Sequence, residues 1–87
     1  MIQKNKRIDD PKAIKRVREQ SKGFCEYCGT FSPPLHIHHI KSKGSGGNDT
    51  PDNLISLCFI CHHMAHNVEI AKDRLKEIVR RREDWNT

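Results

Sequence analysis

The chain has 87 residues, of which 34% are hydrophobic, so it fits a single domain with a small core. No apolar run approaches the roughly 18 to 20 residues that cross a bilayer, and residues 1–7 are too polar for a signal peptide. We therefore expect one cytosolic domain over residues 1–87, without a membrane segment, that needs a stabilising element besides its core.

The charge balance favours an anionic partner. Lys and Arg number 16 against 11 Asp and Glu, which gives a formal net charge of +5. Such an excess on a small domain is typical of proteins that bind nucleic acid. A solvated surface that happens to be basic would give the same count, so charge alone does not decide between the two.

The first predicted element is a helix over residues 11–22. Asp10 has the character of an N-cap, Pro11 suits the first helical position, and Ile14 and Val17 recur at helical spacing before Gly23. Lys and Arg cover much of the remaining helix surface. That surface is either an ordinary solvated face or one that contacts phosphates.

The four cysteines form two Cys-x-x-Cys knuckles, Cys25 with Cys28 and Cys58 with Cys61. In a reducing compartment two such knuckles supply four thiolates for one tetrahedral Zn²⁺. A redox pair of the thioredoxin type needs only one motif, so the presence of two disfavours it. Structural zinc also supplies folding free energy that a small core lacks.

A hairpin with a long loop is predicted between the knuckles, followed by two helices. Residues 35–40 and 53–57 are short apolar runs, and the glycine-rich segment 41–52 connects them. The second knuckle opens a helix that carries three histidines. A last, basic helix is predicted over residues 68–83 from its apolar stripe.

All six histidines lie between positions 36 and 66. His62 and His66 are four residues apart, so on a helix their rings share one face and can bind one metal ion. A third ligand would come from the histidines of the first strand, because contact between the knuckles would bring that strand and this helix together. A Cys2His2 zinc finger fits the spacings poorly, and four cysteines already fill one metal shell.

The combination of His38-His39-Ile40, Gly46-Gly47 and the run from Asn53 to His66 resembles the HNH endonuclease family in its zinc-ribbon form. The resembling segment covers residues 25–66. The resemblance implies a small, metal-stabilised α+β domain: a ββα-metal motif with a four-cysteine zinc ribbon and flanking helices. In this fold two antiparallel strands and a helix hold one catalytic divalent cation against the scissile phosphate of DNA.

The resemblance also implies residue roles. His38 matches the metal ligand of the first strand, and His39 matches the general base. Asn53 matches the asparagine that orients the base region by hydrogen bonding across the hairpin, although an ordinary turn residue is its alternative. His62 matches the ligand on the helix. His66 matches a further ligand used by some members, with a helix-surface histidine as the alternative.

The implied chemistry is metal-assisted hydrolysis of DNA. A divalent cation (Mg²⁺, Mn²⁺, Ni²⁺ or Zn²⁺) would stabilise the phosphate and the leaving group while an imidazole takes a proton from water. His36 and His63 have no fixed role in this pattern. The candidate DNA-binding residues are Lys41, Lys43, Arg74 and Arg81.

Two functions follow from these predictions. The first is a metal-dependent DNA endonuclease or nickase, and the alternative is a non-catalytic zinc-ribbon module that binds nucleic acid. The presence of His38, His39, Asn53 and His62 together favours the nuclease, because a binding module has no need of a base beside a cation site.

Overall fold

The computed structural model of the chain describes residues 8–85, so residues 1–7 and 86–87 of the predicted domain lie outside the described part. Within it, two antiparallel strands are followed by a helix, which confirms the predicted α+β class. No helix in this range is long and apolar enough to span a membrane. The elements are, in order, α1 (Pro11–Ser21), β1 (His36–His39), β2 (Leu54–Leu57), α2 (Phe59–His66) and α3 (Lys72–Trp85).

Helix α1 begins and ends close to its predicted bounds. The Asp10 side chain accepts a hydrogen bond from Lys12 N, and Pro11 occupies the first turn, where its missing N–H costs nothing. The helix ends one residue earlier than predicted, because Lys22 takes a left-handed conformation with φ of 52° and Gly23 follows with φ of 89°.

The hairpin pairs β1 with β2 so that His36 lies opposite Leu57 and His39 opposite Leu54. Because side chains alternate along a strand, β2 buries residues on both faces of the sheet. Leu54 packs with Ala13 and Val17 of α1. The opposite face carries the larger core, which consists of Cys25, Leu35, Ile40, Ile55, Leu57, Cys58, Cys61, Ile70, Leu75 and Val79.

Helix α3 begins four residues later than the sequence predicted, at Lys72 instead of residue 68. The cause is Val68, whose φ of 59° is left-handed. Its N–H bonds to Ala65 O, and Glu69 N bonds to Met64 O, which is the paired pattern that closes a helix C-terminus. Glycine usually occupies this left-handed position, so a valine there does not indicate in the sequence that the helix ends.

A partly buried ion pair fixes α3 against the hairpin. Arg82 donates to both carboxylate oxygens of Glu26, at 2.9 and 3.0 Å, and also to the carbonyl oxygens of Pro51 and Leu54. Glu26 in turn accepts from Ser56 N at 2.8 Å. The first knuckle, β2 and α3 are therefore joined through one carboxylate.

The hairpin loop depends on the absence of a side chain at Gly47. Its N–H bonds to Ser42 O at 2.8 Å, and a β-carbon at this position would collide with the carbonyl group of Lys41.

We predict that Gly47→Ala lowers the free energy of unfolding by about 1–3 kcal/mol, as overpacking usually does. Urea denaturation would measure the loss. Gly44→Ala is the matched control, because open space surrounds Gly44. Equal stability of the two variants would contradict this account.

Candidate metal centres and active site

The two knuckles converge on one point. The sulfur atoms of four cysteines all lie within 4.8 Å of one another: Cys25, Cys28, Cys58 and Cys61. Cys28 Sγ and Cys58 Sγ, from different knuckles, are 3.8 Å apart. A tetrahedron with metal–sulfur bonds of about 2.3 Å, the length typical of zinc, separates its sulfur atoms by about 3.8 Å. The four cysteines are therefore positioned to bind a metal ion, as the sequence predicted.

Backbone amides and one hydroxyl form hydrogen bonds with the sulfur atoms of the cluster. Each knuckle directs an N–H at its first sulfur, from Cys28 N to Cys25 and from Cys61 N to Cys58, both at 3.4 Å. Hydrogen bonding with the side chain of Thr30, and then with its backbone, lowers the pKa of Cys28 to about 6. Burial raises the pKa of the Cys61 thiol. The lowered pKa favours the thiolate form of Cys28, whereas Cys61 would lose its proton on binding a metal.

A second cluster consists of His38 on β1 with His62 and His66 on α2. One ring nitrogen from each lies within 4.8 Å of the other two. The Nε2 atoms of His62 and His66 are 3.1 Å apart. Metal–nitrogen bonds of about 2.0–2.1 Å place two ligands of one ion roughly 3 to 3.4 Å apart, so this pair fits a shared cation.

The fold explains why these three rings meet. His62 directly follows Cys61, so the second knuckle sets the start of α2 against the hairpin, and one helical turn then carries His66 to the same face. Burial, and then the charges of His62 and His66, lower the pKa of His38 to about 4. Burial also lowers the pKa of His62. Both rings are neutral at pH 7, which is the form that binds metal.

His39 lies next to this cluster without joining it. Alternation along β1 directs His38 and His39 to opposite faces of the strand, yet both line one cavity of about 350 Å³. His39 Nε2 lies 2.7 Å from Asp49 Oδ1. The other oxygen of the Asp49 carboxylate accepts from Asp10 N at 2.9 Å. A buried carboxylate therefore links His39 to the start of α1.

Asn53 joins the two ends of the hairpin loop. Its side-chain oxygen accepts from Lys41 N at 2.7 Å, and its amide nitrogen donates to Lys41 O and to Asn48 O. These bonds hold the backbone two residues beyond His39 and one residue before Asp49. The structure thus places Asn53 where it supports both members of the His39–Asp49 pair.

Sequence reasoning missed Asp49 and gave no fixed role to His36. Asp49 is 4% exposed, but it stands in a loop without periodicity, so only the loop's closure brings it to His39. His36 stacks on His62, with ring centroids 5.1 Å apart and an angle of 23° between the planes. Because His36 precedes His38 by two residues, the alternation of side chains along a strand could have predicted that both lie on the same face of β1. His63 is exposed.

The candidate DNA-binding residues fall into two groups. Lys43 lines the histidine cavity, and Lys41 lines a neighbouring groove that also includes Asn53. Arg74 and Arg81, in contrast, both form ion pairs with Glu77, at 3.4 and 3.1 Å.

Comparison with known proteins agrees with this geometry. The family model for the HNH endonuclease matches residues 25–68. The type IV methyl-directed restriction enzyme EcoKMcrA of Escherichia coli (strain K12) is 36% identical over 77 residues, which cover 79% of this chain and 28% of that enzyme. The uncharacterized protein YisB of Bacillus subtilis (strain 168) is 36% identical over 50 residues, covering 58% of this chain and 48% of YisB. The chain thus spans less than half the length of either curated relative.

Cysteine replacement tests the metal-binding knuckles. We predict that Cys28→Ser loses bound metal together with folded structure, because metal binding contributes folding free energy to a chain with so small a core. Elemental analysis and thermal denaturation by circular dichroism would measure both losses. Thr30→Ser, which keeps the hydroxyl beside Cys28 Sγ, is the control. Full metal content and an unchanged melting temperature in Cys28→Ser would refute the assignment.

Proposed function

This chain belongs to the HNH endonuclease family, and we propose that it is a metal-dependent DNA endonuclease or nickase that hydrolyses phosphodiester bonds. The observation that carries the proposal is the placement of two adjacent histidines on β1. His38 belongs to the three-histidine cluster, whereas His39 lines the same cavity but is not part of the cluster. Similarity to a methyl-directed restriction enzyme supports DNA as the substrate.

The histidine cluster would hold one divalent cation, and the cysteine cluster a structural Zn²⁺. A cation bound by His38, His62 and His66 would stabilise the negative charge that develops on the phosphate and on the leaving oxygen. Imidazole ligands suit Ni²⁺ and Zn²⁺ better than Mg²⁺ or Mn²⁺, which prefer oxygen ligands. The four thiolates suit zinc and leave no ligand position open, as in sites whose role is folding.

His39 would act as the general base. Because its Nε2 faces the Asp49 carboxylate at 2.7 Å, the proton of the neutral ring belongs on Nε2, and Nδ1 keeps the lone pair that accepts a proton from water. The carboxylate then stabilises the imidazolium that forms, as the aspartate does in Ser-His-Asp triads. Asp49 is therefore a positioning residue, and Asn53 holds the loop that carries it.

Histidine variants separate the base from the ligands. We predict that His39→Ala folds, keeps its metal and binds DNA, but loses about 10² to 10⁴-fold in cleavage rate, the usual contribution of a general base. His62→Ala should instead need a higher cation concentration for any residual cleavage. Plasmid-cleavage rates over a titration of Mg²⁺, Mn²⁺, Ni²⁺ and Zn²⁺ would distinguish the two, with exposed His63→Ala as the control.

Two results would count against the nuclease proposal. Parent rates in His39→Ala at saturating cation would remove the base assignment. Failure of the parent protein to cleave DNA with any of these cations would favour the non-catalytic nucleic-acid-binding module.

A double-mutant cycle tests Asp49. We predict that Asp49→Asn lowers kcat at least about 10-fold with KM for DNA unchanged, and that the same change in a His39→Ala background lowers the residual rate no further, because Asp49 acts through His39. A loss of the same size in both backgrounds would show that Asp49 only stabilises the fold. Asp73→Asn, an exposed change on α3, is the control.

A further inference from the structure

Helix α3 presents a row of three cations. Lys72, Lys76 and Arg80 follow one another at intervals of four residues, so they lie along one side of the helix over about 12 Å. All three are exposed. Among the side chains that the structure describes, none of the three takes part in an ion pair.

This row borders both cavities of the hairpin. Lys72 lines the histidine cavity together with Lys43. Lys76 and Arg80 line the neighbouring groove, of about 520 Å³, together with Lys41. The groove also contains the Asp52 carboxylate, which accepts a hydrogen bond from Thr50 Oγ1 at 2.6 Å. Three cations against one carboxylate leave the groove positive, and Lys72 continues the positive charge to the metal ligands.

The other basic residues of α3 are already engaged. Arg74 and Arg81 pair with Glu77 and lie about 140 to 160° around the helix from Lys76, at about 100° per residue. Arg82 is largely enclosed in its pair with Glu26. The structure thus divides the six cations of α3 into a row without a carboxylate partner and a set that pairs with Glu77 or Glu26.

We propose that Lys72, Lys76 and Arg80, with Lys41 and Lys43, bind the phosphates of the DNA backbone and lead it into the histidine cluster. This proposal rests on the proposed nuclease function. A DNA strand advances about 3.4 Å per phosphate, so a row of about 12 Å spans three to four of them. Contacts of this kind position the backbone without reading bases. We call these five residues the phosphate track. Helix α3 lies beyond the segment matched by the family model, so family membership alone does not assign DNA binding to its part of the track.

Two matched pairs of substitutions test the track. Lys76→Ala with Arg80→Ala and Arg74→Ala with Arg81→Ala each remove two cations from the same helix. Binding of a fluorescein-labelled duplex of about 20 base pairs would be followed by anisotropy between ~50 and ~200 mM NaCl, in the full chain carrying His39→Ala so that DNA stays intact. Circular dichroism would confirm that both variants fold.

We expect the Lys76/Arg80 variant to lower the slope of log K against log salt by about 1.8, or 0.9 per lost phosphate contact, and to weaken binding at least about 10-fold near 100 mM salt. The Arg74/Arg81 variant should change the slope by less than half as much. Equal effects of the two variants, or none from Lys76/Arg80, would overturn the track. A parent protein that cleaves plasmid DNA would keep the nuclease proposal standing in that case. A parent that neither binds nor cleaves DNA would overturn both.

Discussion

The convergence of four cysteines on one point constrains the rest of the structure. The first knuckle precedes β1 and the second follows β2, so holding them together closes the base of the hairpin. Cys61 is followed at once by His62, and the same closure therefore aims the histidine-bearing face of α2 at β1. Glu26, inside the first knuckle, extends the constraint to β2 through Ser56 N and to α3 through Arg82. A chain with little apolar surface to bury thus obtains its order from a few strong contacts.

The pleat of β1 accounts for the two different roles proposed for adjacent histidines. Residue 38 faces α2 and its histidines, whereas residue 39 faces the loop that carries Asp49. A base beside a cation must stay off the metal to keep a lone pair for water, and the alternation of a strand separates the two rings without any further device. The Asp49 carboxylate also accepts a hydrogen bond from Asp10 N, so α1 supports the His39–Asp49 pair from outside the segment that matches the family.

The sequence allowed prediction of the parts whose signals are local. Cysteine and histidine spacing indicated both clusters and the helix that follows the second knuckle. Apolar spacing indicated the first and last helices and the hairpin close to where they occur. The predicted start of α3 was wrong, because Val68 adopts a left-handed conformation that a β-branched residue rarely takes. Asp49 was missed for a different reason. Its contact with His39 requires a loop closed around Gly47, and no periodicity in residues 41–52 encodes that closure.

The charges of α3 were beyond sequence reasoning because their roles depend on how the helix is rotated. Burial of Leu75 and Val79 fixes that rotation, together with the hydrogen bonds of Arg82 to Glu26 and to the carbonyl oxygens of Pro51 and Leu54. Lys72, Lys76 and Arg80 then emerge along the edge of the buried face, beside the cavities, and Arg74 and Arg81 emerge on the far side with Glu77. The docking of Arg82 therefore determines which cations of α3 border the cavities. In a domain of this size, the contact that docks the helix is also the one that orients its charges.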